Sequence, residues 1–160
     1  MKMHFWRRKK REESPAGNIC ARNGETGIVA VMENAQWASV SDFGGVAVAM
    51  GCNGRATARG YLGVALATMP QGEAKAVGEW GLAVATGMIG EARAEGDDGV
   101  ATTTNAGGRV MGARGCALFA VEREDSGKIS SVAAAIVDGA NIKPDTWYTC
   151  RDGELVEVRR

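Results

Sequence analysis

Glycine recurs at every ninth position through the middle of this chain. It occupies positions 45, 54, 63, 72, 81, 90, 99 and 108 without interruption, and Gly27 keeps the same register. The repeated unit reads G-x-A-x-A-x-G-x-x, as in GVAVAMGCN (45–53) and GRATARGYL (54–62). Residues that alternate between alanine and a variable residue are typical of a short strand, and the glycine-flanked pair that follows them is typical of a tight turn. A fixed period of such units predicts a solenoid.

Alanine holds the third and fifth positions of most units, and the positions between them vary. In every second unit the variable positions carry charges such as Arg55, Glu73, Lys75, Glu91 and Arg93. Because an unpaired charge is costly inside a protein, alanine is expected to line the interior. An alanine interior needs sheets closer than the usual ~10 Å. We therefore predict an all-β, flattened β-solenoid (a β-roll) in which two units, about 18 residues, form one coil.

Three regions of the chain are predicted. Residues 1–17 form a basic N-terminal tail, residues 18–122 the β-solenoid, and residues 123–160 a C-terminal antiparallel β-hairpin cap. Turn residues at Ser126–Lys128 and at Asp152–Gly153 predict two hairpins in the cap. We expect Trp147 and Tyr148 to pack in its core.

Composition limits the classes of function. Nineteen Lys and Arg balance nineteen Asp and Glu, so the body should have no general affinity for nucleic acid or membrane. The four cysteines include no CxxC pair, and neither a metal nor a cofactor is predicted. His4 is the only histidine and no catalytic motif is present, so we expect no enzymatic activity. Without a recognisable signal peptide, the expected location is the cytoplasm.

One outer face of the solenoid is predicted to be apolar. Six strands about 4.8 Å apart would give about 500 Å² of apolar surface, which is the upper end of what a soluble monomer exposes. We expect this face to join copies of the chain in a dimer or a trimer. The alternative is that the C-terminal segment folds back over it. The predicted interface residues are Ile28, Val46, Val48, Val64, Leu66, Leu82, Val84, Val100 and Leu118.

Aromatic residues follow several of the charged strands. Phe43, Tyr61 and Trp80 occupy predicted turns, and Asp97–Asp98 follows in the next coil. We expect these rings to anchor the chain ends or a neighbouring subunit. The alternative is a groove that stacks a ligand, with a set of cations beside the aromatic rings: Arg55, Arg59, Lys75, Arg93 and Arg109.

A block of five consecutive basic residues lies beside two aromatic residues, Phe5 and Trp6, in the N-terminal tail. Such a block can contact phosphates while the rings stack on bases, although a solvated tail is the commoner role. Phe5 and Trp6 could instead cap the first coil and protect its strand edge. The candidate nucleic-acid contacts are Arg7, Arg8, Lys9, Lys10 and Arg11.

Units such as GEARAEG (90–96), followed by NIKPDTWYTCRDGELVEV (141–158), resemble Gly/Ala-rich nonapeptide-repeat proteins of bacteriophage and prophage genomes. The resemblance covers about residues 18–160. It implies a location in the bacterial host cytoplasm or in the virion, and it implies no settled activity. The repeats also resemble, more loosely, the β-roll head of trimeric autotransporter adhesins, which favours a trimer.

Two functions remain open, while other repeat classes fit poorly. A calcium-binding roll needs Asp in each loop, and only GDDG (96–99) offers acid here. An ice-binding array needs successive Thr-x-Thr pairs, and only Thr102 and Thr104 form one on the apolar face.

We expect a structural or interaction protein that binds a phage or host protein. The alternative is a phage-encoded inhibitor of a host defence system that binds a nucleotide signal or a host protein.

Overall fold

The computed structural model describes residues 12–13, 19–21 and 27–159. The basic block Arg7–Arg11 and the predicted cap residues Phe5 and Trp6 lie outside the described residues. Within them the protein is all-β, without a helix. Its strands are β1 (Glu12–Glu13), β2 (Ile19–Ala21), β3 (Ile28–Val31), β4 (Trp37–Val40), β5 (Val46–Ala49), β6 (Arg55–Ala58), β7 (Val64–Ala67), β8 (Glu73–Ala76), β9 (Leu82–Ala85), β10 (Glu91–Ala94), β11 (Val100–Thr103), β12 (Arg109–Gly112), β13 (Ala117–Arg123), β14 (Ile129–Ile136), β15 (Tyr148–Arg151) and β16 (Glu154–Glu157).

Successive nine-residue units alternate between two sheets. One sheet has the order β1-β2-β4-β6-β8-β10-β12-β15-β16, and the other has the order β14-β13-β11-β9-β7-β5-β3. Strands from β2 to β13 pair in parallel with the strand one coil away, as Val46 does with Val64. The chain is therefore a β-solenoid of about five coils, which confirms the predicted fold class.

Glycine closes the turn between two units and lets neighbouring coils approach. The N–H of Gly63 donates to the carbonyl of Gly60 at 3.0 Å, and the same bond recurs from Gly54 to Gly51. The third turn residue has a positive φ, as at Leu62 (φ 56). Its N–H donates to the next coil, from Leu62 to the carbonyl of Glu79 at 3.0 Å. The turns are thus hydrogen-bonded within and between coils.

Alanine fills the interior of the central coils, as predicted. The inward side chains of β5 to β10, such as Ala56, Ala74 and Ala92, are at most 1% exposed. Larger residues occupy the two ends, where Val29, Val31 and Val40 line the first coil and Val110 and Leu118 line the last. The interior is therefore narrow in the middle and is filled by larger side chains at the ends.

Both predicted hairpins form, and each extends a different sheet. In β13–β14, Ala120 pairs with Ala133 in an antiparallel ladder. In β15–β16, Thr149 pairs with Val156, and β15 joins β12 through Tyr148 opposite Val110. Tyr148 is buried as predicted, and its hydroxyl accepts the N–H of Lys143 at 2.9 Å.

The prediction that Leu118 lies on the outer apolar face is wrong. Strands β11 and β12 begin nine residues apart, at 100 and 109, whereas β13 begins only eight residues later, at 117. Leu118 consequently pairs with Ala101, an inward residue, and is fully buried. Because a shift of one residue exchanges the two faces of a strand, Phe119 points outward in its place, 45% exposed.

Candidate functional site

Within the described residues, the outer surface of the seven-stranded sheet carries one charged side chain at its outward strand positions, that of Arg123 at the end of β13. We call this surface the apolar face. One column of the face runs through Val46, Val64, Leu82 and Val100. The face comprises the outward residues of β3, β5, β7, β9, β11, β13 and β14: Ile28, Ala30, Val46, Val48, Val64, Leu66, Leu82, Val84, Val100, Thr102, Ala117, Phe119, Val121, Val132, Ala134 and Ile136.

The C-terminal segment does not cover the apolar face, contrary to the alternative drawn from the sequence. Strand β14 lies beside β13 in the same sheet, and β15–β16 joins the opposite sheet. The segment therefore enlarges the face by adding Val132 and Ile136, which are 63% and 65% exposed. At the other end of the face, Ile28 is 75% exposed. Within the described part of the chain, the face is uncovered over all seven strands.

The outward side chains of β6, β8, β10 and β12 form the charged face, and they pair with one another. Arg55 Nε lies 3.3 Å from a carboxylate oxygen of Glu73, and Arg109 contacts Glu91. Trp147 packs against this face, with the Arg109 guanidinium 5.8 Å from its ring centroid. These contacts neutralise the first column of the face.

Two cations in the second column of the charged face contact the same carboxylate. One carboxylate oxygen of Glu95 lies 2.9 Å from Lys75 Nζ, and the other lies 2.6 Å from Arg93 Nε. Arg59 donates to the hydroxyl of Ser39 at 3.1 Å. The cations that the sequence offered for a nucleotide therefore already contact groups of their own chain.

The aromatic residues of one turn edge form a ladder. We call Phe43, Tyr61 and Trp80 the aromatic edge. The ring centroids of Phe43 and Tyr61 are 5.5 Å apart, and those of Tyr61 and Trp80 are 5.4 Å apart. The first pair is stacked and the second is tilted by 37°. Both separations are those of rings in direct contact, so no flat ligand fits between neighbouring rings.

The predicted grouping of cations at the aromatic edge is only partly correct. Arg59 immediately precedes the turn that carries Tyr61 and lies at this edge. Arg55 and Arg109 are the first residues of β6 and β12, so they lie at the opposite turn edge. Each strand crosses the sheet from one edge to the other, which separates its first residue from the aromatic edge by about 13 Å.

Three cysteines have described side chains, and all three are free thiols: Cys52, Cys116 and Cys150. Among the described residues, no group of three or more His, Cys, Asp or Glu side chains could hold a metal ion. Cys116 is buried, its thiol contacts the carbonyls of Ala94 and Gly96, and burial raises the pKa of the thiol. Cys150 is also buried, 3.3 Å from the hydroxyl of Ser131. In the same described ranges, no helix is long and apolar enough to cross a membrane.

Over the residues that the structure describes, the fold and the two faces define an all-β solenoid with an uncovered apolar surface. Comparisons with protein-family models, curated protein sequences and solved structures gave no match to this chain. The resemblances to phage repeat proteins and to adhesin heads therefore stay predictions.

Proposed function

We propose that this protein is a non-enzymatic structural or interaction protein that assembles with copies of itself through the apolar face. The observation that carries the proposal is that, within the described part of the chain, the face is uncovered over all seven strands and its one charge, Arg123, lies at the end of β13. Uncovered apolar surface of this extent and regularity marks an interaction site in soluble proteins.

The size of the face suits a dimer interface. Seven strands about 4.8 Å apart, each with four residues rising about 3.3 Å, give about 450 Å² per copy in projection. Two copies would cover about 900 Å² in projection, and protruding side chains bring the accessible area to the roughly 1,000 Å² that a specific interface needs. Two faces would pack as the layers of a β-sandwich.

A second copy is the occupant that the face fits best. Most outward residues of the face are small or β-branched and lie in register, as in the column that contains both Val48 and Val84, so the face offers another copy the same regular surface. Across the centre of the face, no like charges oppose each other when the face meets itself, because its one charge lies at the end of β13. One copy related by a twofold axis covers the whole face, so we propose a dimer rather than the trimer suggested by the resemblance.

Charge placed at the centre of the face tests the proposal. In Val48→Lys/Val84→Lys, two ammonium groups would be buried without partners, and self-association should weaken by about 100-fold or more. Sedimentation equilibrium measures the dissociation constant. Val77→Lys is the matched control, since Val77 follows β8 on the opposite surface, and it should associate like the wild type.

Two results would overturn the proposal. One is a wild-type protein that stays monomeric at concentrations of about 100 μM, where even weak homodimers form. The other is a Val48→Lys/Val84→Lys variant that folds and keeps the mass of the wild type. Either result would leave the apolar face without its proposed role.

The nucleotide-binding alternative has weaker support. Its cations contact neighbouring side chains, and two of them lie at the wrong edge. We therefore do not propose it as the function. The phage origin adds nothing to the assembly argument.

A further inference from the structure

Strand β14 is the longest described strand and ends its sheet. It spans eight residues, Ile129–Ile136, and pairs on one side with β13. No described strand lies on its other side. A long, unpaired edge strand presents a row of free N–H and C=O groups on which another strand can pair.

The direction of the backbone groups follows from the hydrogen bonds at the end of β14. The N–H of Val137 donates to the carbonyl of Cys116 at 2.9 Å. Every second residue of an antiparallel strand bonds to the same neighbour, so Ala133 and Ala135 also face β13. The N–H and C=O groups of Val132, Ala134 and Ile136 consequently point to the open side.

Nothing in the side chains of β14 protects this edge. Proteins usually blunt an edge strand with a charge, a proline, a bulge or short length. The sequence ISSVAAAI contains neither charge nor proline, and its only register shift lies opposite Glu122 and Arg123, beyond the strand's centre. By contrast β16, the edge strand of the other sheet at this end, has four residues and carries Glu154 and Glu157.

We propose that the open edge of β14 pairs in antiparallel fashion with β14 of a second copy. An uncharged strand meets itself without opposing like charges, and a twofold axis perpendicular to the sheet makes both edges equivalent. Two seven-stranded sheets then become one continuous sheet, and their apolar faces lie on the same side. This inference depends on the edge and not on the apolar face, so either can fail alone.

A proline at position 134 tests the pairing of the β14 edge independently of the apolar face. Ala134→Pro removes an N–H on the open side, while its side chain stays apolar and the bonds to β13 remain. Ala134→Val is the matched control, because it keeps the N–H and, like proline, places a slightly larger apolar side chain on the face, so it should associate like the wild type. Thermal unfolding shows whether each variant is folded.

Light scattering at equal concentration should distinguish three masses among four proteins, because each variant with one interface left is a dimer. The mass of the wild type should exceed that of a dimer, because both interfaces form. The mass of Ala134→Pro should fall to that of the dimer formed by the apolar face alone. Val48→Lys/Val84→Lys should retain only the edge dimer, and the combined variant should be monomeric. An Ala134→Pro protein with the wild-type mass overturns the edge pairing, whereas an unchanged Val48→Lys/Val84→Lys protein overturns only the face assembly.

Hydrogen exchange on the wild type provides a measurement that needs no variant. Pairing protects the N–H groups of Val132, Ala134 and Ile136, which should exchange slower by about tenfold or more at high protein concentration than after dilution to monomer. Equal, fast exchange at both concentrations would overturn the proposal. If these N–H groups were protected only after a partner peptide was added, the proposal would also be overturned, because the edge would then pair with a strand of another protein and not with a second copy.

Discussion

Gly112 and Cys116 exchange the roles that alanine and glycine hold in the regular coils. A β-carbon added at Gly63 would lie 2.9 Å from the β-carbon of Ala58, so only one of the two positions can carry a side chain. At the last coil, a β-carbon added at Gly112 would lie 2.7 Å from that of Cys116. Here the strand residue is the glycine and the turn residue carries the side chain.

This exchange predicts that a double variant recovers stability. Gly112→Ala should lower the free energy of unfolding by about 1–3 kcal/mol, because its methyl group overlaps Cys116. Cys116→Gly in the same chain restores the regular arrangement, so the two changes should show a coupling energy of about 1 kcal/mol or more. Urea unfolding of the four proteins measures it. Additive losses would mean that the overlap relaxes elsewhere.

Backbone strain at Ile89 predicts a stabilising substitution. Ile89 has a φ of 56°, a conformation that disfavours β-branched residues, and Asn53 holds the same turn position two coils earlier. Ile89→Asn should raise the free energy of unfolding by about 1 kcal/mol. Ile89→Val keeps the branched β-carbon and should give no gain. A gain in the valine variant would point to side-chain packing as the cause.

The aromatic edge should couple adjacent coils. Phe43→Ala and Tyr61→Ala together should show a coupling energy of about 0.5–1.5 kcal/mol, because each removes the same ring pair. Phe43 and Trp80 are two coils apart, so Phe43→Ala and Trp80→Ala should add within about 0.5 kcal/mol. Thermal or urea unfolding measures both cycles. Equal coupling in the two pairs would contradict a stacking origin.

Asp138 should make stability depend on pH in the acid range. The N–H groups of Ile142 and Ala140, with further help from Asn141, lower the pKa of this carboxyl to about 2. Because the folded pKa is below the unfolded one, its contribution is present above about pH 4 and is lost as the pH falls towards 2. Asp138→Asn should flatten this part of the stability profile. A carboxyl of Asp138 that titrates near 4 by NMR would contradict the prediction.

The period and the alternation of residues predicted the solenoid correctly because both properties are local. A nine-residue unit with alanine at two inward positions forms the same strand and turn wherever it occurs. The separation of an apolar from a charged face followed from the same alternation, as Val46 and Arg55 show at equivalent positions of one coil. The sequence alone thus determined the coil, its interior and its two faces.

The ends of the solenoid were decided only by the tertiary structure. A turn shortened by one residue turned Leu118 inward, and no periodic pattern shows where such a deletion falls. The hairpins were predictable from their turns, but their sheet partners were not, because pairing with β12 or β13 depends on contacts distant in sequence. For that reason the sequence left open whether the C-terminal segment covers the apolar face, and the structure shows that it extends the face instead.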